Sequence, residues 1–223
     1  MEKSTRKTFA SFSAVNIIAS LVFLGAVQSW AQDKVRFPDI PRDKMTAEQQ
    51  QFAANIEKSP RNARVTNMPY KVYVRSPAFA NVSAAMSEYL RWGTSLSRQQ
   101  AELVILLAAR YWSAGYVWRE HYAIAMKEGL DPKIPAAIAA GKRPDGMKED
   151  DALVYDLITQ LYRDHDVAQS TYDAVVARFG EKGVVDAIAL AGYYGITAFA
   201  TFTAKTPFEP GSEPKLLPLA KPF

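Results

Sequence analysis

Ser97-Arg98-Gln99-Gln100-Ala101-Glu102-Leu103-Val104-Ile105-Leu106-Leu107-Ala108-Ala109-Arg110 is the stretch on which the fold turns. Ser97 followed three residues later by Gln100 is a capping box: each side chain can satisfy a backbone N–H that the first helical turn leaves open. Leu103, Leu106, Leu107 and Arg110 then recur at helical spacing, so the pattern predicts a strongly apolar helix from Arg98 to about Ser113. Gly115 breaks it. Tyr116 to Glu128 is the next predicted helix, closed by Gly129, where a left-handed residue is wanted. Two helices joined at so short a turn run antiparallel.

The same punctuation extends in both directions. Upstream, Ser76-Pro77 puts proline at a first helical position, where its missing N–H costs nothing, and that helix runs to Trp92 and stops at Gly93. A short helix is expected from about Lys44 to Lys58, with Met45, Phe52 and Ile56 as its apolar stripe. Pro60 to Arg75 has no period and no second alternating segment to pair with, so it reads as an extended arm rather than a strand pair. Downstream, helices are expected at Pro132 to Ala140, ending at Gly141, and at Glu149 to Arg163 beyond a loop from Arg143 to Lys148. Two more are expected at Gln169 to Phe179, ending at Gly180, and at Val184 to Ala204. The last is apolar nearly all round, with Gly192 and Gly195 permitting close approach, so it must be covered by its own chain or by another subunit. The fold class is therefore all-α.

The ends of the chain read differently. Lys3, Arg6 and Lys7, then the apolar Ala14 to Val27, then Ser29-Trp30-Ala31 have the three parts of a secretory signal cut before Gln32. The apolar run falls short of the roughly 20 residues a spanning helix needs. The expected organisation is a signal peptide at 1–31, an N-terminal arm and short helix at 32–75, a helical domain at 76–206 and a proline-containing C-terminal arm at 207–223. A periplasmic or secreted protein is expected, touching a membrane only if the first segment stays uncleaved.

Composition narrows the chemistry. With no cysteine in the sequence, disulfides, zinc-thiolate sites and thiol redox steps have no residue to carry them. The net charge of +4, from 27 Lys and Arg against 23 Asp and Glu, is too small and scattered for nucleic acid. Two histidines 44 residues apart, with no His-Glu-x-x-His spacing, make no metal site, and no cofactor is expected.

Glu102 stands among Ala101, Leu103, Val104 and Ile105, so its carboxylate is expected to be buried and to need a cation or donor. His121, in the following antiparallel helix, can supply one, and such a pair fixes the imidazole tautomer and makes a proton carrier. The plainer readings are packing residues: a lone histidine on a half-apolar helix is commonly a hydrogen-bonded core residue. His165, in Arg163-Asp164-His165-Asp166, reads as a solvated partner of a helix end. Trp112, Trp118, Tyr193 and Tyr194 read first as core or subunit contacts.

Leu96-Ser97-Arg98-Gln99-Gln100-Ala101-Glu102-Leu103-Val104-Ile105-Leu106 followed by Gly115-Tyr116-Val117-Trp118-Arg119-Glu120-His121 resembles the carboxymuconolactone decarboxylase and alkylhydroperoxidase superfamily. Arg75-Ser76-Pro77, Glu128-Gly129-Leu130, Gly192-Tyr193-Tyr194 and Pro207 support the resemblance, which covers about Arg75 to Pro207. It implies a helical bundle assembled as a homo-oligomer, a trimer or hexamer. In the peroxidase branch two cysteines precede the histidine; Ala114 and Val117 hold those positions here, so no sulfenic acid or disulfide can form. The decarboxylase branch carries Tyr-Glu-Trp ahead of its histidine, and Val117 replaces that glutamate. By resemblance, His121 is the proton donor and acceptor and Glu102 its orienter. Arg98 is the substrate-carboxylate partner, with Tyr116 and Trp118 beside the substrate.

The expected function is that of an exported, cofactor-free lyase, decarboxylase or isomerase acting on a small carboxylated or lactone-like molecule. The competing expectations are a non-catalytic binding or scaffold protein of the same fold and a membrane-tethered helper. A His121 that lines a cavity favours the enzyme; a sealed one favours the scaffold.

Overall fold

A computed structural model describes residues 36–58, 60–206 and 216. The signal segment lies outside these residues, as does the C-terminal arm except for Leu216. The helix that decides the fold, α4 (Arg98–Tyr111), is the axis of the bundle, and every residue from Gln100 to Arg110 is buried. Its capping box forms as the sequence requires: Gln100 N–H donates to Ser97 Oγ at 3.2 Å and Ser97 N–H to Gln100 Oε1 at 2.9 Å. A helix buried all round has to be enclosed. Those that pack on α4 are α3 (Pro77–Trp92), α5 (Gly115–Lys127), α6 (Lys133–Ala139), α7 (Glu149–Asp164) and α8 (Gln169–Thr203). The described residues are helices and turns without strands.

Glycine ends fall where the sequence places them. Gly129 follows α5 at φ 87° and Gly141 follows α6 at φ 69°. Gly180 lies inside α8 at φ 70° and ψ 171°, so α8 is two helices joined at a sharp kink, the two expected from sequence. Arg110 is buried at the end of α4, donating to Ala139 O at 3.2 Å and Ser113 Oγ at 3.1 Å, which ties α6 to the α4–α5 turn. Asp186 ties α3 to α8: it accepts from Tyr89 Oη at 2.7 Å, Ser95 N at 2.9 Å and Lys182 Nζ at 2.7 Å.

The extended arm expected between Pro60 and Arg75 is instead a series of turns ending in a single helical turn, α2 (Tyr70–Tyr73), after a cis Met68–Pro69 bond. Val65, Tyr70, Tyr73 and Val74 are buried with Met45, Phe52 and Ile56, the latter two on α1 (Ala47–Ile56), and with Ala80 and Ala200. These apolar side chains find a core without strand pairing. That is why a segment with no period is nevertheless fixed.

The apolar half of α8 is divided between the core and an open face. Leu190, Tyr193, Tyr194 and Ala198 are buried, whereas Val185, Ile188, Ile196 and Phe199 are exposed. The two glycines of this helix differ. A Cβ on Gly195 would lie 3.2 Å from Trp112 Nε1, so the backbone is in close approach there; one on Gly192 would meet nothing within 4 Å.

Candidate functional site

Glu102 and His121 meet because α4 and α5 are antiparallel about the turn at Ser113, which takes φ 52°. His121 Nδ1 lies 2.6 Å from Glu102 Oε2. The other carboxylate oxygen accepts from Arg98 Nη2 at 3.1 Å, and Arg91 Nη2 lies 4.0 Å from it. The Glu102 side chain is 0% exposed. Burial alone would push its pKa up; the charge and hydrogen bond of His121, with Arg91 and Arg98, outweigh that and hold it below the ordinary carboxylate range. Glu102 is therefore a carboxylate at neutral pH, and it accepts the proton on His121 Nδ1. In the neutral imidazole this tautomer leaves the lone pair on the opposite nitrogen, Nε2.

The imidazole is only 11% exposed, and it lines a cavity of about 300 Å³, the lower end of the range for small-molecule sites. Tyr194 packs edge-on against the ring, centroids 4.9 Å apart. Tyr70, Tyr116 and Tyr193 also face the cavity, with Ser87, Arg91 and Arg61 contributed from α3 and the loop before α2. Burial raises the Tyr194 hydroxyl pKa well above its usual value and raises that of Tyr116 as well, so these rings are neutral donors.

The residues singled out by sequence separate into two sets. Glu102 and His121 are in contact, and Tyr116 lines the cavity with His121. Arg98 and Trp118 do not line it. Arg98 is turned onto Glu102 and the Arg91 carbonyl, which it reaches at 2.5 Å, while Trp118 is buried in the core. The guanidinium that lines the cavity beside Glu102 is that of Arg91. Sequence reasoning passed over Arg91 because it reads as an ordinary cation in the last turn of α3. The available signal was Ser87 four residues earlier, which puts a hydroxyl and a guanidinium on one helix face. Tyr193 and Tyr194 are core residues and cavity walls at once. His165 is solvent-exposed at the left-handed end of α7, as expected. Among the described residues no three His, Asp or Glu side chains are grouped to hold a metal.

No protein-family model matches this sequence, and no curated protein matches it. Solved structures do. An uncharacterized peroxidase-related protein from Silicibacter sp. TM1040 superposes with a TM-score of 0.61 at 14% identity, covering 82% of this chain and 97% of its own. A second, described as an alkylhydroperoxidase AhpD core and an uncharacterized peroxidase-related protein from Ralstonia eutropha JMP134, gives 0.63 at 13% identity over 78% and 92%. The fold is that of the AhpD core. In this chain the thiol positions expected from the resemblance are Ala114, buried in the apolar core, and Val117, buried at the cavity wall. Both neighbours are described as peroxidase-related; no residue of this sequence has a thiol for such a reaction.

Proposed function

We propose that the cavity is a cofactor-free proton-transfer site of a lyase, decarboxylase or isomerase for a small carboxylated or lactone-like molecule. The observation that carries this reading is His121: bonded to a buried carboxylate through Nδ1, it lines a space large enough for a ligand. With Glu102 fixing the tautomer, Nε2 takes a proton from the carbon next to a carbonyl and the C–H electron pair moves into the carbonyl as an enolate. The imidazolium, stabilised by the Glu102 charge, returns that proton at the same or a neighbouring carbon. In a decarboxylation the C–C pair left by departing carbon dioxide takes the place of the C–H pair, and a protonated His121 supplies the proton. Tyr116 and Tyr194, kept neutral by burial, are donors suited to an enolate oxygen.

The test is a panel of lactones and unsaturated acids, read by carbon dioxide release and by uptake of solvent deuterium. His121→Ala is expected to lower turnover by at least about 100-fold, the usual share of a positioned acid-base group, with the helical CD spectrum unchanged. Loss of folding would assign His121 to packing. Absence of turnover across the panel, with the fold intact, would favour a binding or scaffold protein. Export is part of the same reading, and mass spectrometry of the mature protein should find an N-terminus at Gln32.

A further inference from the structure

Among the described residues, two guanidinium groups line the cavity, and the protein engages them to different extents. Both terminal nitrogens of Arg61 are engaged: Nη1 donates to Tyr70 Oη at 3.1 Å and Ser87 Oγ at 3.0 Å, and Nη2 to Ala84 O at 2.7 Å. Arg91 is different. Its side chain is 14% exposed, its Nε is buried without a hydrogen-bond partner, and its nearest acidic oxygen, on Glu102, is 4.0 Å away, beyond hydrogen-bonding distance. A buried guanidinium nitrogen without an acceptor is costly, and the part of the Arg91 side chain that faces the cavity is open to an anion. Its position is set from both sides: the Arg91 carbonyl accepts from Arg98 Nη1, and its guanidinium lies 4.3 Å from the centroid of the Trp92 ring.

Resting on the reading of this cavity as a substrate site, we infer that Arg91, rather than Arg98, is the residue that binds the substrate carboxylate, and that the site takes planar monocarboxylates. The cavity-facing guanidinium of Arg91 matches one carboxylate. The remaining walls, Tyr70, Tyr116, Tyr193 and Tyr194, offer ring surface to a flat body, and the acidic wall residue Glu120 opposes a second negative charge. Arg91 and His121 both border the Glu102 carboxylate, so a ligand anchored on the first presents its adjoining carbons to the second.

The probe is benzoate against its neutral isostere benzamide, titrated calorimetrically into the full chain. Benzoate is expected to bind at least tenfold tighter. Arg91→Gln should erase that preference, and His121→Ala should keep it. In the wild-type protein the Nε–H resonance of Arg91 should move on adding benzoate and stay still with benzamide, a readout that holds even if the glutamine variant fails to fold. Equal binding of the two probes, survival of the preference in Arg91→Gln, or a silent Arg91 resonance would overturn the assignment. The two readings fail separately: turnover of the lactone and acid panel without benzoate preference sinks only the Arg91 anchor, while benzoate preference without turnover sinks only the proton-transfer site.

Discussion

Glu102 serves two masters with two oxygens, one held by the imidazole and one by Arg98. Replacing it with glutamine leaves Arg98 and Arg91 facing a neutral amide in a buried place. Glu102→Gln is therefore expected to cost about 3–5 kcal/mol in chemical denaturation, as for other buried pairs deprived of one partner. The pH dependence follows from the same contacts. Because the folded pKa of Glu102 is depressed, its stabilisation is present above the ordinary carboxylate range and is lost as pH falls through the folded value. Asp186 behaves alike: burial opposes its charge, but Lys182, Ser95 and Tyr89 together bring its pKa below normal. Asp186→Asn should lower stability at pH 7 by about 2 kcal/mol and flatten the acid limb of the unfolding curve, both read by CD. At this scale the Glu102–His121 pair was legible because an acid inside an apolar run demands a partner. Arg91 was not, because nothing in its own helix shows that a loop 30 residues upstream in the chain closes a cavity over it.

Helix boundaries were the most legible feature, since caps and glycines act locally. Ser97→Ala removes an acceptor that the α4 N-terminus uses and should cost about 1 kcal/mol. Gly180→Ala meets no neighbouring atom, so its cost of about 1–3 kcal/mol comes from forcing a side chain into φ 70° and ψ 171°, a region essentially confined to glycine. The paired glycines of α8 should part company in thermal melts. Gly195→Ala presses on Trp112 and lowers Tm, whereas Gly192→Ala, open to solvent, gains helix propensity and adds up to about 1 kcal/mol to the stability of the single chain. What the sequence did not show is the second core under α1 and α3. Val65, Tyr70, Tyr73 and Val74 sit at irregular spacing, and periodicity is silent where turns, not helices, deliver side chains to the interior.

Among the described residues, large apolar side chains stand exposed on two helices. Phe79, Val82, Met86 and Tyr89 on α3, and Val185, Ile188, Ile196, Phe199 and Phe202 on α8, are exposed. On α3 they recur at intervals of three or four residues and on α8 at intervals of three with one gap of eight, the spacing of a packing stripe, and α3 and α8 lie against one another. α8 is also long and apolar enough to cross a membrane by length and composition, yet the opposite side of its apolar half supplies core residues. The homo-oligomer implied by the resemblance, expected from sequence to cover the last helix, is proposed to bury the α3 face as well. Sedimentation velocity should show an assembly larger than the 24.8 kDa chain, and Ile188→Glu should return it to a single chain.

Trp92 has three guanidinium carbons near its ring, those of Arg91 at 4.3 Å, Arg98 at 5.3 Å and Arg61 at 5.6 Å. An indole in so positive a setting is an optical gauge of local charge. Any event that neutralises one of these cations changes its emission, so the chain carries its own label for following occupancy in real time, and a Trp92→Phe protein is the blank against which the trace is read.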